Sequence, residues 1–219
     1  MPFDKGAPSM APRGRRHPDV IGCDARVAFR YSDYDTPFWA RSNTEPGRWS
    51  AAGQVPAQYL ALHPDGAWAE LARAEDLQTD GDLSLVRIPI WAARLSELGL
   101  ADYSDFERAE TAGFAPDALI DDDYSRCQVE GARLRELGYR GVVAPSAALP
   151  GCLNLTLFGP RIISGWSRER KLASSIPAAV VAVGAPPAGL AARVRFFGRP
   201  HVGHDEYRRG RGRARRRSH

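Results

Sequence analysis

Strand-like alternation of apolar and polar residues recurs along this chain, but helix-patterned segments interrupt it without the strict βα rhythm of a doubly wound parallel sheet. A first strand is predicted over Ala25-Arg26-Val27-Ala28-Phe29-Arg30-Tyr31, then a long loop from Ser32 to Gly53, then a second strand around Gln58 to Leu62. Ala67 to Asp76 reads as a helix with Asp65 as its expected N-cap. Leu83 to Ile90 alternates as a strand, Trp91 to Leu98 reads as a short helix ended by Gly99, and Asp102 to Thr111 as another helix. Asp121 or Asp122 is expected to cap a helix that runs to Leu137 and stops at Gly138. Gly141 to Ala144, Leu153 to Phe158, Arg161 to Ser164, Ala178 to Val183 and Arg193 to Phe197 are further strand candidates. The sum is a single mixed-sheet α+β domain over residues 21–205. Residues 1–20, rich in Pro, Gly and Arg, are expected to be a flexible lead-in, and 206–219 a disordered basic tail.

Composition sets the remaining bounds. A chain of 219 residues with 43% hydrophobic and 26% charged side chains can bury one substantial core. Its net charge of +4 is a property of one segment: Arg208 to Arg217 holds seven arginines, and without them +4 becomes −3. That tail is expected to touch nucleic acid non-specifically if at all, because no recognition fold precedes it. The cysteines, Cys23, Cys127 and Cys152, lack paired C-x-x-C spacing and suit a reducing cytoplasm. No apolar run follows Lys5, Arg13, Arg15 and Arg16, so no secretory leader is expected. The apolar stretch from Ile176 to Leu190 is broken by Pro177, Pro186 and Pro187, so no membrane span is expected either.

Chemistry concentrates in two regions. Pro46-Gly47-Arg48-Trp49-Ser50, followed by Tyr59 and then Glu70, places a cation, aromatic rings and a carboxylate close in sequence. Glycine lets the backbone turn tightly and approach a ligand, and the arginine fork matches a phosphate or carboxylate. Gly141-Val142-Val143-Ala144-Pro145-Ser146 and Gly151-Cys152-Leu153-Asn154 add a second polar loop, expected to share a cleft with the first. Each residue also has a plainer reading. Arg48 suits a surface cation stacked on Trp49, Arg30 a strand-end partner of Asp33 or Asp35, Tyr31 and Tyr59 core aromatics, and Ser146 a turn residue. Glu70 on an exposed helix face is the ordinary case, yet Trp68, Leu71 and Ala72 flank it. Asp121, Asp122 and Asp123 are read as a helix start in preference to a metal site, and His201-x-x-His204 as a surface pair. Neither Cys127 nor Cys152 has the neighbours that would support a catalytic thiol.

These residues resemble the RES domain, a family named for its arginine, glutamate and serine. The resemblance starts at Phe29-Arg30-Tyr31, passes through Gly47-Arg48-Trp49, Tyr59 and Glu70, and ends near Asn154-Leu155-Thr156-Leu157-Phe158. It departs at Ser50, where asparagine is frequent, and weakens after Arg161. What the resemblance implies is a fold similar to the ADP-ribosyltransferases that consumes NAD, usually as the toxin of a toxin–antitoxin pair with an Xre-type antitoxin. It implies Glu70, Arg48 and Ser146 as catalytic residues and Arg30, Tyr31, Gly47, Tyr59 and Asn154 as substrate contacts, with NAD as substrate and no metal. Cleaving the nicotinamide–ribose bond asks for cations at the pyrophosphate, a carboxylate by the electron-poor sugar and aromatic surfaces for the ring. The order Arg, Glu, Ser differs from the usual transferase order, so roles do not transfer by order. Two alternatives stand beside NAD glycohydrolase or phosphorylase: mono-ADP-ribosylation of a protein target, and a non-catalytic binding module with a basic tail. A homodimer is compatible with either.

Overall fold

The computed structural model describes residues 16–32, 45–159 and 180–217. Six strands form one mixed sheet: β1 (Val20–Tyr31), β2 (Ala57–Ala61), β3 (Ile90–Asp102), β4 (Gly141–Pro145), β5 (Leu153–Phe158) and β6 (Val180–Val183). The helices are α1 (Pro64–Ala74), α2 (Asp80–Leu85), α3 (Phe106–Thr111), α4 (Ser125–Glu136) and α5 (Val202–Arg217), with 3-10 turns at Pro116–Leu119 and Ala191–Arg193. The α+β expectation holds.

The pairings make a closed circuit. β1 pairs with β2, β2 with β5, β5 with β4, β4 with β3, and β3 returns to β1, while β6 adds to the first residues of β3. All are antiparallel except β3 with β4. A period of two along the strands, interrupted in β3 by the register shifts against β1 between Leu95 and Leu100, sends Ala28, Leu60, Ala93, Leu95, Leu100, Val143, Leu155 and Leu157 to one common core. Alternate residues, Tyr59, Asn154 and Thr156 among them, are left for the other face. The circuit is weakest between β1 and β2, which share the single pair Phe29↔Ala61 among the described residues.

Two further cores cover the sheet. Trp49, Tyr103, Phe106, Phe114, Leu119 and Leu134 join α3, the 116–119 turn and α4 to it. Trp68, Leu71, Leu83, Ile90, Leu149 and Phe196 join α1 and α2 to the C-terminal segment. Helix α1 starts with Pro64 in its first turn, and Gly66 to Ala69 and Leu71 to Arg73 are all buried. It therefore runs through the packed interior, with Glu70 half-exposed at a gap in the packing.

Several expectations are corrected. The cap of α1 is His63, whose ring accepts from the Asp65 amide, and Asp65 instead faces Arg193. Leu83–Ile90 is not a strand: Thr79 and Asp82 form a reciprocal capping box that starts α2. Trp91–Leu98 is not a helix, because β3 is paired on both edges there. Arg193–Phe197 is not a strand: Arg193 ends the Ala191–Arg193 3-10 turn and the residues after it run without regular structure into a turn. Helix α4 starts after Tyr124, later than the aspartates expected to cap it, and ends as expected with Gly138 at φ +83 and the Tyr139 amide bonded back to the Leu134 carbonyl.

The segment 206–217, expected to be disordered, continues α5. Arginine is a good helix former, and the first turns are tied down by Tyr207 and Arg211, both bonded to Glu110. At the other end two residues of the supposed lead-in are part of the fold: Pro18 is buried and its carbonyl accepts from the Tyr139 hydroxyl at 2.7 Å, and Val20 starts β1. The strand expected at Arg161–Ser164 and loop positions 33–44, with Asp33, Tyr34, Asp35, Phe38 and Trp39, lie outside the described residues.

Candidate active site

The pocket forms where β1 and β2 part. Its volume is about 250 Å³, and its walls include Arg30 and Tyr31 from β1, Gly47 and Arg48 from the following turn, Tyr59 from β2, Glu70 from α1, and Asn154 and Thr156 from β5. Seven of the eight residues singled out from the sequence thus share one cavity. Ser146 does not line it. That side chain has no exposed surface and sits directly behind Glu70.

Glu70 is held from one side. Its Oε1 accepts from the Ser146 hydroxyl at 2.9 Å and from the Asn154 amide at 2.7 Å. The Ser146 oxygen itself accepts from the Ala148 and Leu149 amides at 3.2 and 3.0 Å. Serine therefore fixes the carboxylate's rotamer and is itself enclosed. Asn154 shows both habits, bracing Glu70 while bordering the cavity. The second carboxylate oxygen makes no hydrogen bond among the described residues.

The cations differ in how they are held. Arg48 is tethered: its Nη1 donates to the carbonyls of Asp121 at 2.8 Å and Ala118 at 3.4 Å, and its guanidinium lies 4.5 Å over the ring of Tyr124 and not over Trp49. Arg30 is the unusual one. Its Nη1 is buried without a hydrogen-bond partner among the described residues, and burial lowers the guanidinium below its ordinary value, with Tyr31 opposing that effect. A buried cation left unpaired costs free energy, and an anionic ligand would relieve it. Burial first, and then the Glu70 carboxylate, raise the Tyr31 phenol, which stays neutral.

The Gly47–Ser50 turn explains the glycine. Gly47 and Ser50 exchange backbone bonds of 2.8 and 3.3 Å, and a Cβ on Gly47 would lie 2.3 Å from the Tyr59 hydroxyl. The space that glycine leaves is taken by the Tyr59 ring. The Tyr59 oxygen accepts from the Trp49 amide at 3.0 Å, and burial pushes the phenol up to about 12. Helix α4 clamps the turn from outside through Gln128 to the Gly47 carbonyl at 3.0 Å and Arg135 to the Trp49 carbonyl at 2.8 Å.

The remaining candidates separate cleanly. Asp121 pairs with Arg126, Asp123 accepts from the Ser125 amide, and Asp122 receives Arg73 at 2.6 Å and Arg195 at 3.0 Å. Three adjacent carboxylates thus point to three sets of partners. Among the described residues no group of three or more His, Cys, Asp or Glu is arranged to hold a metal ion. Burial pushes the Cys127 thiol up to about 11 and raises Cys152 as well, so neither offers a ready thiolate. His201 is no surface residue: it is 4% exposed and contacts the Ser146 carbonyl. Sequence reasoning missed Tyr124, which carries Arg48, and Thr156, whose place two residues after Asn154 on one strand was the available signal. A larger groove of about 590 Å³ lies apart, between α2 and residues 184–188. Its charged members, Asp80 and Arg87, are committed to backbone groups.

The family model for the RES domain matches residues 24–173. The chain belongs to the RES domain family. Over 114 residues it is 34% identical to the probable NAD(+) phosphorylase Rv3189 of Mycobacterium tuberculosis, a match covering 52% of this chain and 53% of that protein. It therefore spans about half the length of that relative. A chain of the M. tuberculosis MbcT–MbcA toxin–antitoxin complex has a similar fold, with a TM-score of 0.52 and 21% identity over 82% of this chain and 91% of that one. The RES match ends at residue 173, so the C-terminal segment bearing His201 lies beyond it.

Proposed function

We propose that this RES domain protein cleaves the nicotinamide–ribose bond of NAD, with inorganic phosphate as the acceptor. One observation carries the reading: an Arg30 nitrogen that is buried and, among the described residues, unpartnered borders the same cavity as a Glu70 carboxylate with one oxygen anchored and the other uncommitted among those residues. The kinship with a probable NAD(+) phosphorylase supports both the substrate and the acceptor.

The pocket is smaller than those that enclose a whole ligand, about 300–1,000 Å³. It suits the nicotinamide–ribose end, with Tyr31 and Tyr59 as ring surfaces and Arg30 and Arg48 toward the phosphates. As the carbon–nitrogen bond breaks, its electron pair passes to the pyridinium nitrogen and nicotinamide leaves neutral. The ribose carbon gains oxocarbenium character, which the fixed Glu70 carboxylate stabilises until a phosphate oxygen bonds to that carbon. Anchoring by Ser146 and Asn154 means that little reorganisation is needed at that moment. By the same kinship the protein acts as a toxin restrained by an antitoxin protein.

The test is incubation of purified protein with NAD in phosphate and in phosphate-free buffer, with phosphorus NMR of the products. Nicotinamide and a phosphorylated ADP-ribose are expected, and Glu70→Gln should lower kcat by about 10²–10³-fold. ADP-ribose formed equally in both buffers would replace phosphate by water, and undiminished turnover in Glu70→Gln would remove the role given to the carboxylate.

A further inference from the structure

Glu70 is positioned by Ser146, and Ser146 in turn is touched by a residue from the far end of the chain. His201 Nε2 lies 3.1 Å from the Ser146 carbonyl oxygen, and His201 Nδ1 lies 3.1 Å from the His204 amide. The amide is a donor, so Nδ1 must accept, and the neutral ring then carries its proton on Nε2 and donates it to Ser146. The backbone agrees with this assignment. The His201 carbonyl accepts the first helical bond of α5, from the Asp205 amide at 3.0 Å, and its side chain takes the amide three residues on. That is the behaviour of an N-cap.

One ring therefore does two jobs. One nitrogen starts α5 and the other holds the turn whose hydroxyl fixes Glu70. Backbone bonds also hold the turn, from the Ser146 amide to the Cys152 carbonyl, from the Cys152 amide to the Leu149 carbonyl and from the Arg195 amide to the Ala148 carbonyl at 2.7 Å, but among the described residues His201 is the side chain that bonds the Ser146 carbonyl. We propose that His201 is a positioning residue for the catalytic carboxylate, acting through the Ser146 turn. The proposal rests on the NAD-cleaving reading for its kinetic test but not for its structural one.

The two jobs can be separated by amide isosteres. Asparagine places a side-chain oxygen near Nδ1 and caps helices well, but is too short to reach Ser146; glutamine places an amide N–H near Nε2 and caps poorly. In the full-length protein, His201→Asn should keep a melting temperature close to the parent. Its kcat for nicotinamide release should fall about 10- to 100-fold with KM little changed, since a small displacement of the carboxylate suffices for such a loss. His201→Gln should show the reverse, a lower melting temperature with kcat near the parent. Hydrogen exchange at the Ala148 and Leu149 amides, which bond the Ser146 oxygen, should quicken in His201→Asn and stay slow in His201→Gln.

Unchanged kcat in His201→Asn, or kcat that merely follows the melting temperature in both variants, would overturn the proposal. If the parent does not cleave NAD, the exchange rates decide it alone: unaltered exchange at Ala148 and Leu149 in His201→Asn would overturn it.

Discussion

Tyr59 shows how a residue can face a ligand cavity and still owe its place to packing. Its ring fills the volume that a side chain at position 47 would occupy, and its oxygen takes the Trp49 amide, which would otherwise be buried without an acceptor. With the phenol pushed up to about 12, the hydroxyl keeps its proton at any working pH, and that proton has no acceptor among the described residues. Tyr59→Phe should consequently do two things at once. Leaving the Trp49 amide unsatisfied should lower stability by about 1–3 kcal/mol in urea unfolding. Loosening of the Arg48 turn should raise KM for NAD more than it lowers kcat, because Glu70 is braced separately by Ser146 and Asn154. A parent-like unfolding midpoint would show that the amide finds another partner.

At the scale of elements, the same turn depends on α4 approaching without a side chain in the way. A Cβ on Gly131 would sit 2.3 Å from the Trp49 carbonyl oxygen, the atom that also receives Arg135. Gly131→Ala normally favours a helix, by up to about 1 kcal/mol. Here it should destabilise by about 1–3 kcal/mol, since backbone must move to admit the methyl group. Denaturant unfolding reads the sign directly: a stabilised Gly131→Ala would mean that the clamp is loose. Such contacts explain which parts of the molecule were legible in its sequence. β5 was read with its true limits, because Leu153, Leu155 and Leu157 alternate with polar neighbours and the strand is half buried. β3 was misread over Trp91–Leu98 as a short helix, because Trp91-Ala92-Ala93-Arg94-Leu95 carries good helix formers. Its extended form is imposed by partners distant in sequence, β1 on one edge and β6 on the other. The gathering of seven of the eight chosen residues around one cavity was legible because the family pattern marks them. The distinction between touching the cavity and bracing a neighbour was not, since Ser146 and Tyr59 differ in burial and partners, which spacing does not encode.

For the whole molecule, the segment from Gly189 to Arg217 is stitched to α2, to the residues before α4 and to the Ser146 turn by polar contacts as well as apolar ones. Asp80 receives the Ala191 amide, Asp122 receives Arg195 and the Gly198 amide, and Ser146 receives His201. Two of the histidines in this segment are held neutral. Burial is the leading cause that lowers both His201 and His204 from the ordinary 6.5, with the positive charge of Arg195 adding to it at His201 and that of Arg208 at His204. In the unfolded chain both return to that ordinary value. Below pH 6.5 the unfolded state therefore binds more protons than the folded one, and stability must fall with pH until the lowered folded values are passed. Above 6.5 these two groups contribute no slope. Carboxylates act in a separate window: Asp117, lowered chiefly by its bond to Arg126, loses its contribution only as pH drops below 3.8, and its exposure keeps that contribution small. Calorimetry between pH 8 and pH 5 should thus show a melting temperature that is level at first and then declines below about pH 6.5. The decline should be shallower in His201→Gln, which removes one of the two titrating rings. Protonated His201 has no lone pair for the His204 amide, so the first turn of α5 should exchange its amide hydrogens faster over the same pH range. A melting temperature that rises as pH falls from 6.5 to 5 would reverse the assigned sign and with it the neutral, Nε2-protonated state of the ring.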